Sequence, residues 1–520
     1  MAADTDAQDA TFPLRVAAID VGSNAIRFLA AEFLQPLHYT AIEQVRTPVR
    51  LGHDVFLSGR LTDPAMEAAV EALRSYRHRL DALGVARYRA VATSAVRDSR
   101  NGEKFIDRVG SDAGIRLEVI TGAEEARLVH QAVRSRVDLG RRRWLLADLG
   151  GGSVEISLVD ASAIHWSVSH EVGSVRLLEA LAVAGDDPAR FRRRIEEYTA
   201  TLRLRPTGRF RRAAGFIATG GNIEALAKLG EAKPDDRGVA RLPTARLKET
   251  IEVLARLPYR ERISELGLRE DRADVILPAA MVYDRFAALA GFDTIIVPNV
   301  GVKDGVVVDL ADDLAGHEPH RVRHDQTVYA GALALGRRYR FDAAHGRHVS
   351  TLALSLFDQL AAVHGLSGAD RRILMASAIL HDIGTFIGYR KHHKHTQYIV
   401  SQSELPGFAP REILMVANVA RYHRKGEPAE HHQDYMALAE KDRERVRRLA
   451  AILRIADALD REHLQTVQTV RARRDDGRVE LGIETSGDLV LERWAVQKKV
   501  GLFEKTFGLA VTIADDGRGR

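Results

Sequence analysis

The sequence predicts a duplicated α/β protein that continues into an all-α domain and closes on a small α+β module. Three observations predict it. A plan of apolar strand, aspartate, glycine, serine and second strand occurs at residues 14–29 and again at 144–159, so two similar halves are expected to face a cleft. Strand signals stop after residue 326, and apolar residues then recur at intervals of three and four until about residue 464. Alternation returns at Val467, where two alternating runs flank Asp475-Asp476-Gly477, a hairpin signal. At roughly 150 residues per domain the chain has room for several domains, and they are placed at 12–140, 141–310, 327–464 and 465–516.

Residues 14–21 form an apolar run carrying Asp20 near its end. Gly22-Ser23-Asn24 makes a tight polar turn, and Ile26, Phe28 and Leu29 open the second strand of a hairpin. Residues 63–83 set Ala69, Leu73, Tyr76 and Leu80 on one helical face. A strand at 88–92, a helix at 101–109, a strand at 117–120 and a helix at 123–137 follow. The pattern restarts at 144–148, which closes on Asp148; Gly150-Gly151-Gly152-Ser153 and a strand at 155–159 repeat the first hairpin. Helices and short strands lead to a strand at 294–297, the half closes near Leu310, and residues 311–326 are a polar connector.

Apolar residues make up 45% of the chain and charged residues 28%, which excludes disordered and collagen-like classes. With no cysteine, disulfides, thiolate nucleophiles and thiolate-bound metals are excluded, so any metal must rest on His, Asp and Glu. No apolar run approaches the roughly 20 residues that span a bilayer, and the opening MAADTDAQDATFPL lacks a basic-then-apolar signal. A cytoplasmic protein without a membrane partner is expected. The net charge of +5 permits an anionic partner but selects no specific nucleic acid. The basic stretches 190–194, 203–212 and 443–448 are read as solvated faces.

Each Gly/Asp loop places backbone N–H groups and a hydroxyl at a strand end, with a carboxylate just before them. Consecutive N–H groups make an anion-binding concavity, and glycine lets the backbone close around phosphate oxygens. An aspartate beside phosphate repels it unless a cation such as Mg²⁺ or Mn²⁺ lies between them, which makes Asp20, Asp148 and Glu155 the candidate metal ligands. Hairpin geometry alone would account for one glycine loop; two matched loops favour phosphate. Glu125 falls three and four residues from the apolar stripe Leu128, Val129, Ala132 and Val133 and faces inward, whereas Glu124 sits off its centre.

The segments Ala18 to Asn24 and Asp148 to Glu155 resemble the two phosphate motifs of the exopolyphosphatase and guanosine-pentaphosphate phosphohydrolase family. The likeness continues in ATSAVR (92–97), ITGAEEARL (120–128) and VGVKDG (300–305), in the family's order. The segment ATGGNI (218–223) stands where that family usually shows Ser-Gly-Thr. The resemblance implies duplicated actin-like (RNase H-like) domains of the superfamily that includes sugar kinases and heat-shock ATPases. It also implies hydrolysis of a terminal phosphoanhydride by in-line attack of water, and a place in the stringent response. Glu125 is then the general base and Arg97 the catalytic phosphate clamp. Gly22, Ser23, Asn24, Thr93, Gly150, Gly151, Gly152 and Ser153 are the phosphate-binding residues.

In the all-α region His345 lies on the stripe Val349, Leu352, Ala353 and Leu356; His381-Asp382 ends the helix of Leu374 and Ala378; Asp457 continues Leu449 and Leu453. Buried aspartates in such places are costly unless paired or metal-bound. This arrangement resembles an HD phosphohydrolase domain, whose metal ligands map onto His345, His381, Asp382 and Asp457. His395 and His423 are the candidates for a second metal there, a transition metal. Packing or phosphate binding by these histidines is the other reading. The first expected function is exopolyphosphatase, with inorganic polyphosphate as partner and a homodimer as assembly. Guanosine pentaphosphate hydrolysis, a small-molecule kinase and a nucleotide sensor are the alternatives. Residues 390–395, 421–425 and Lys498-Lys499 are the expected positive track for a long polyanion.

Overall fold

The computed structural model describes residues 12–35, 38–181, 188–202, 213–314, 318–424, 426–475, 477–486 and 490–514. The chain divides into two compact units, Met1–His324 and Asp325–Arg520. The opening residues 1–11, the basic stretch 203–212, connector residues 315–317, Lys425, Asp476 and residues 515–516 lie outside the described residues. Among the described residues no helix is long and apolar enough to cross a membrane.

The first unit is built on two sheets. Strands β1 (Leu14–Val21), β2 (Ile26–Gln35), β3 (His38–Thr47), β4 (Arg87–Ala92) and β5 (Leu117–Val119) pair in the order β3-β2-β1-β4-β5. Strands β6 (Trp144–Leu149), β7 (Val154–Val159), β8 (Ile164–His170), β9 (Phe216–Thr219), β10 (Ala240–Pro243) and β11 (Thr294–Val297) pair in the order β10-β11-β9-β6-β7-β8. Removing β10 leaves β8-β7-β6-β9-β11, which repeats the first sheet strand for strand and direction for direction. In each, the first three strands are antiparallel neighbours and the next two join in parallel. This is the duplicated actin-like α/β fold. The central strand β1 is buried at all but one position, as expected for a strand covered on both faces, and its continuous apolar run follows from that.

Two helices lie between the sheets. Helix α1 (Gly122–Arg134) packs on β6, β7 and β8, although it follows the first sheet in sequence. Helix α2 (Gly221–Leu229) follows β9. Helix α3 (Val302–Leu314) follows the second sheet and packs back on β1, β2 and β4. Residues 12–140 and 141–310 are thus interlocked within one unit. Where α1 and α3 cross, a Cβ on Gly305 would lie 1.9 Å from the Leu128 carbonyl oxygen, so only glycine allows this approach. Every residue of α1 from Gly122 to Val133 is buried, and burial of a side chain such as Leu128 contributes roughly 1.5–3 kcal/mol.

The second unit is helical: α4 (Ala343–Gln359), α5 (Gly368–Leu380), α6 (His392–Ser401), α7 (Pro410–Arg421) and α8 (Glu440–Ala458) enclose one core. Asp342 caps α4 by accepting from the Ala344 and His345 N–H groups, and Ser367 with Asp370 closes a capping box on α5. The hairpin β12 (Val467–Asp475) and β13 (Arg478–Thr485) is joined in parallel by β14 (Ala510–Ile513). Helices α9 (Val490–Lys499) and α10 (Gly501–Phe507) pack on α8 and complete the small α+β module.

Candidate active site

The two matched loops end their strands in the same way. Gly22 N–H donates to the Ala25 carbonyl at 3.2 Å, and Gly150 N–H donates to the Ser153 carbonyl at 3.0 Å. Among the described residues, the N–H groups of Ser23, Asn24, Gly151 and Gly152 have no protein acceptor, which leaves two short arrays of donors. The loops touch: a Cβ on Gly151 would fall 2.8 Å from Ser23 Cβ. Ser23 Oγ lies 2.9 Å from Ser94 Oγ, so the loop after β4 joins them. Between the sheets opens a cleft of about 340 Å³ lined by Asp20, Gly22, Ser23, Asn24, Thr93, Glu125, Asp148, Gly150, Gly151 and Ser153 among others.

Register sets the carboxylates. Asp20 stands opposite Arg27 across β1 and β2, and Asp148 stands opposite Glu155 across β6 and β7. Arg27 Nη1 donates to Asp20 at 2.9 Å. Thr219, placed beside Asp148 by the parallel pairing of β6 and β9, donates to it at 2.6 Å. A hydroxyl is therefore present in the 218–223 segment, and Asn222 adds a bond to Ser174 at 3.0 Å. Glu155 accepts from Ser169 at 2.9 Å through Oε1, while its buried Oε2 has no partner.

Glu125 occupies the first turn of α1, which Thr121 caps by accepting from Glu124 N–H at 3.2 Å. Arg97 donates to Glu125 Oε1 at 2.6 Å and to the Ile120 carbonyl at 2.9 Å. Burial lifts the Glu125 carboxyl to about 7 against the pull of Arg97, with Asp148 and Asp20 adding repulsion. Burial likewise lifts Asp148 to about 6, and Glu155 is held well above the ordinary range by burial and then by Glu125 and Asp148. These carboxylates are hard oxygen donors, one with an orphaned oxygen, which is the chemistry that Mg²⁺ or Mn²⁺ takes, although among the described residues no three of them bring oxygens within 4.8 Å of one another. Glu124, expected off the buried stripe, is buried as well, because α1 is enclosed on all sides and Arg127 and Arg89 pair with it.

Gly152, Arg97 and Glu155 are not among the residues that line the cleft. Arg97, expected to clamp phosphate, is engaged by Glu125. Residues that the sequence reading did not single out also line the cleft: Arg27, Arg46, Arg269, Arg272, Glu224 and, within a quoted motif, Lys303. Arg46 pairs with Asp271, to which Asn24 also bonds. Arg272 has no ion-pair partner among the described residues, and burial beside Arg269, with Arg46 and Arg27 near, pushes it down to about 10. Arg27 could have been found from the duplication, since position 27 matches position 155; the arginines near 269–272 carry no periodic signal.

In the second unit, His345, His381 and Asp457 come together, and so do Asp382 and His423. The third member of that second group is His392, not His395. His392, Thr396, Ile399 and Val400 form the buried stripe of α6, and His395 falls off it. The expected cationic track is reduced: His392 is buried in this cluster and Lys499 pairs with Asp457.

Two family profiles match the chain: the Ppx/GppA phosphatase family over residues 34–314 and Ppx/GppA phosphatase domain III over residues 329–495. A guanosine-5'-triphosphate,3'-diphosphate pyrophosphatase of Aliivibrio fischeri is 24% identical over 423 residues, 80% of this chain and 82% of that protein. The protein of the same name from Vibrio vulnificus is 25% identical over 414 residues, 79% of this chain and 80% of that one. A solved exopolyphosphatase of Cytophaga hutchinsonii is 27% identical and matches 57% of this chain and 98% of its own with a TM-score of 0.53.

Proposed function

The chain belongs to the Ppx/GppA phosphatase family, and from that membership we propose that the first unit hydrolyses the terminal phosphoanhydride of guanosine pentaphosphate, releasing orthophosphate. The observation that carries the reaction is Glu125: a buried carboxylate, raised to about 7, beside two matched arrays of free N–H donors. The phosphate sits on the N–H groups of Ser23, Asn24, Gly151 and Gly152. Arg97 holds Oε1, which leaves Glu125 Oε2 to take the proton of the attacking water. The water oxygen bonds to the terminal phosphorus as the bridging P–O bond breaks, and the electron pair leaves on the shortened nucleotide. Asp20, Asp148 and Glu155 would hold Mg²⁺ or Mn²⁺, which neutralises phosphate charge when bound. Family membership sets aside the kinase reading.

The choice of substrate reverses the order expected from the sequence. It is supported by the names of the two relatives that span about four-fifths of both chains, and by the further cations Arg46, Arg269 and Arg272, which line the same cleft. Inorganic polyphosphate is the second reading, favoured by the Cytophaga hutchinsonii relative. Phosphate release from guanosine pentaphosphate, polyphosphate and ATP, measured in parallel, decides between them. Highest kcat/KM on guanosine pentaphosphate is expected. A higher value on polyphosphate would transfer the assignment, and turnover of none of them would remove it.

A further inference from the structure

Helix α2 turns one face toward two adjoining spaces. Gly221, Glu224, Ala225 and Lys228, at intervals of three and four, line a second cavity of about 590 Å³ in the first unit. Gly221 and Glu224 line the phosphate cleft as well, and so do Arg269, Arg272 and Asn299. Those five residues form a wall common to both. Beyond it the lining of the second cavity is apolar apart from Lys228, with Ala225, Ala232, Pro234, Leu266 and Leu268 among its residues. Phosphate gains nothing from apolar walls, whereas the faces of a flat heterocycle do. The volume falls within the roughly 300–1,000 Å³ of small-molecule sites.

Glu224 differs from every other acid on the cleft. Asp20 accepts from Arg27, Asp148 from Thr219, Glu125 from Arg97, and Asp304 from Tyr39 and Lys303. Among the described residues the Glu224 carboxylate makes no hydrogen bond and no ion pair. Burial lifts it above the usual carboxylate range, and Lys303, Arg27 and Arg272 draw it back without bonding to it. A bare carboxylate at a phosphate cleft repels the phosphates, so its presence there calls for a compensating contact with some other part of the ligand.

An ionised carboxylate only accepts hydrogen bonds, and it has two oxygens side by side. Its natural complement is a pair of adjacent donors in one plane. Of the nucleobases, guanine alone carries such a pair on its Watson–Crick edge, N1–H and the N2 amino group. Adenine and cytosine set a bare ring lone pair beside a single amino group, and uracil flanks its one N–H with two carbonyls. A carboxylate is repelled by those lone pairs and carbonyls, so it discriminates among bases by charge as well as by bond count.

Resting on the reading of the first unit as a guanosine pentaphosphate hydrolase, we propose that the second cavity takes the nucleoside and that Glu224 reads its base, accepting N1–H and N2–H of guanine. The base lies between the apolar walls with its donor edge on α2, and the phosphates cross the shared wall into the cleft. Glu224 is thus a specificity residue, with no part in the chemistry at phosphorus.

The test measures dissociation constants for the full-length chain in Mg²⁺. The probes are the β,γ-methylene triphosphates of guanosine, inosine and adenosine, which resist hydrolysis, and bis(methylene)triphosphate, which has no nucleoside. The parent should bind the guanosine probe about 10²-fold more tightly than the adenosine probe, at about tenfold for each hydrogen bond to a charged acceptor. Inosine keeps N1–H and lacks the amino group, so its probe should fall between them. Glu224→Gln should bring the guanosine and adenosine probes within about threefold of each other. It should bind bis(methylene)triphosphate at least as tightly as the parent, because a repelling charge is gone. Ala225→Leu, which narrows the cavity, should weaken all the nucleoside probes and spare bis(methylene)triphosphate.

Equal affinity of the parent for the guanosine and adenosine probes would overturn the proposal, and that measurement needs no variant to fold. So would a Glu224→Gln protein that keeps the parent's preference. Loss of affinity for every probe alike in Glu224→Gln would overturn it in favour of Glu224 holding Mg²⁺ against the phosphates. Phosphate release from guanosine pentaphosphate by the parent, measured alongside, reports separately on the reaction. Release without a guanine preference in binding would sink this proposal alone, and a guanine preference without release would uphold the cavity's ligand while removing the hydrolase reading.

Discussion

The two halves of the first unit place opposite charges at matched positions. Seven residues after Asp20, across the hairpin, stands Arg27; seven residues after Asp148 stands Glu155. The first half neutralises its aspartate internally, with a bond of 2.9 Å. The second half adds a carboxylate to a carboxylate, and α1 brings Glu125 to the same place. Duplication alone would have made a symmetric cleft. Divergence at this matched pair leaves the second half's side of the cleft the more anionic of the two.

The largest effect that tests this asymmetry is expected at the base. Glu125→Gln should lower turnover by about 10² or more while substrate binding persists, the usual size for a positioned general base; single-turnover and binding measurements together check it. Because the carboxylate must be ionised to act, kcat/KM of the parent should fall about tenfold per pH unit below about 7. Rising Mg²⁺ should shift that limb to lower pH, since added positive charge favours the ionised form. A pH profile with the same limb in Glu125→Gln would assign it to another group.

Next in size is the cation itself. Asp148→Asn should raise the Mg²⁺ concentration for half-maximal activity by about tenfold, whereas Asp20→Asn, already compensated by Arg27, should raise it by no more than about threefold. Equal shifts would mean that the two halves share the ion evenly. A smaller change is expected from Thr219→Val, which removes one hydrogen bond worth about 1 kcal/mol from Asp148; a Mg²⁺ titration should show only a few-fold change.

The smallest effect is on stability. Glu125 binds its proton more tightly in the folded chain than in the unfolded one, so its contribution to stability falls as pH rises from about 4.5 through about 7. The drop in Tm between pH 5 and pH 7.5 should accordingly be a few degrees larger in the parent than in Glu125→Gln.

The parts of this arrangement that were legible in the sequence share one property: their signal is local. Asp20, Asp148 and their glycine loops follow directly on apolar strands, and Glu125 is fixed by the stripe of its own helix. The strand order, in which β4 joins β1 in parallel and β10 is added beyond β11, depends on crossovers that no local pattern encodes. Arg46, Arg269 and Arg272 reach the cleft through tertiary placement, so nothing around them distinguishes them from surface arginines. His392 was missed for a narrower reason. Lys391 adopts a left-handed backbone, φ 62°, and α6 begins at His392 itself, which turns that ring inward and His395 away. The frame of a helix, and hence which of several histidines is buried, depends on where the helix starts.

The crossing of α1 and α3 at Gly305 also ties the two sheets together. Helix α1 packs on the second sheet and α3 on the first, and side chains of both helices, Leu128, Val129, Val306 and Val307 among them, share one buried core. The closeness of the two helices therefore sets how near the sheets lie. A methyl group at position 305, 1.9 Å from the Leu128 carbonyl oxygen, would push the two helices apart, and with them the sheets, without touching a residue that lines the cleft.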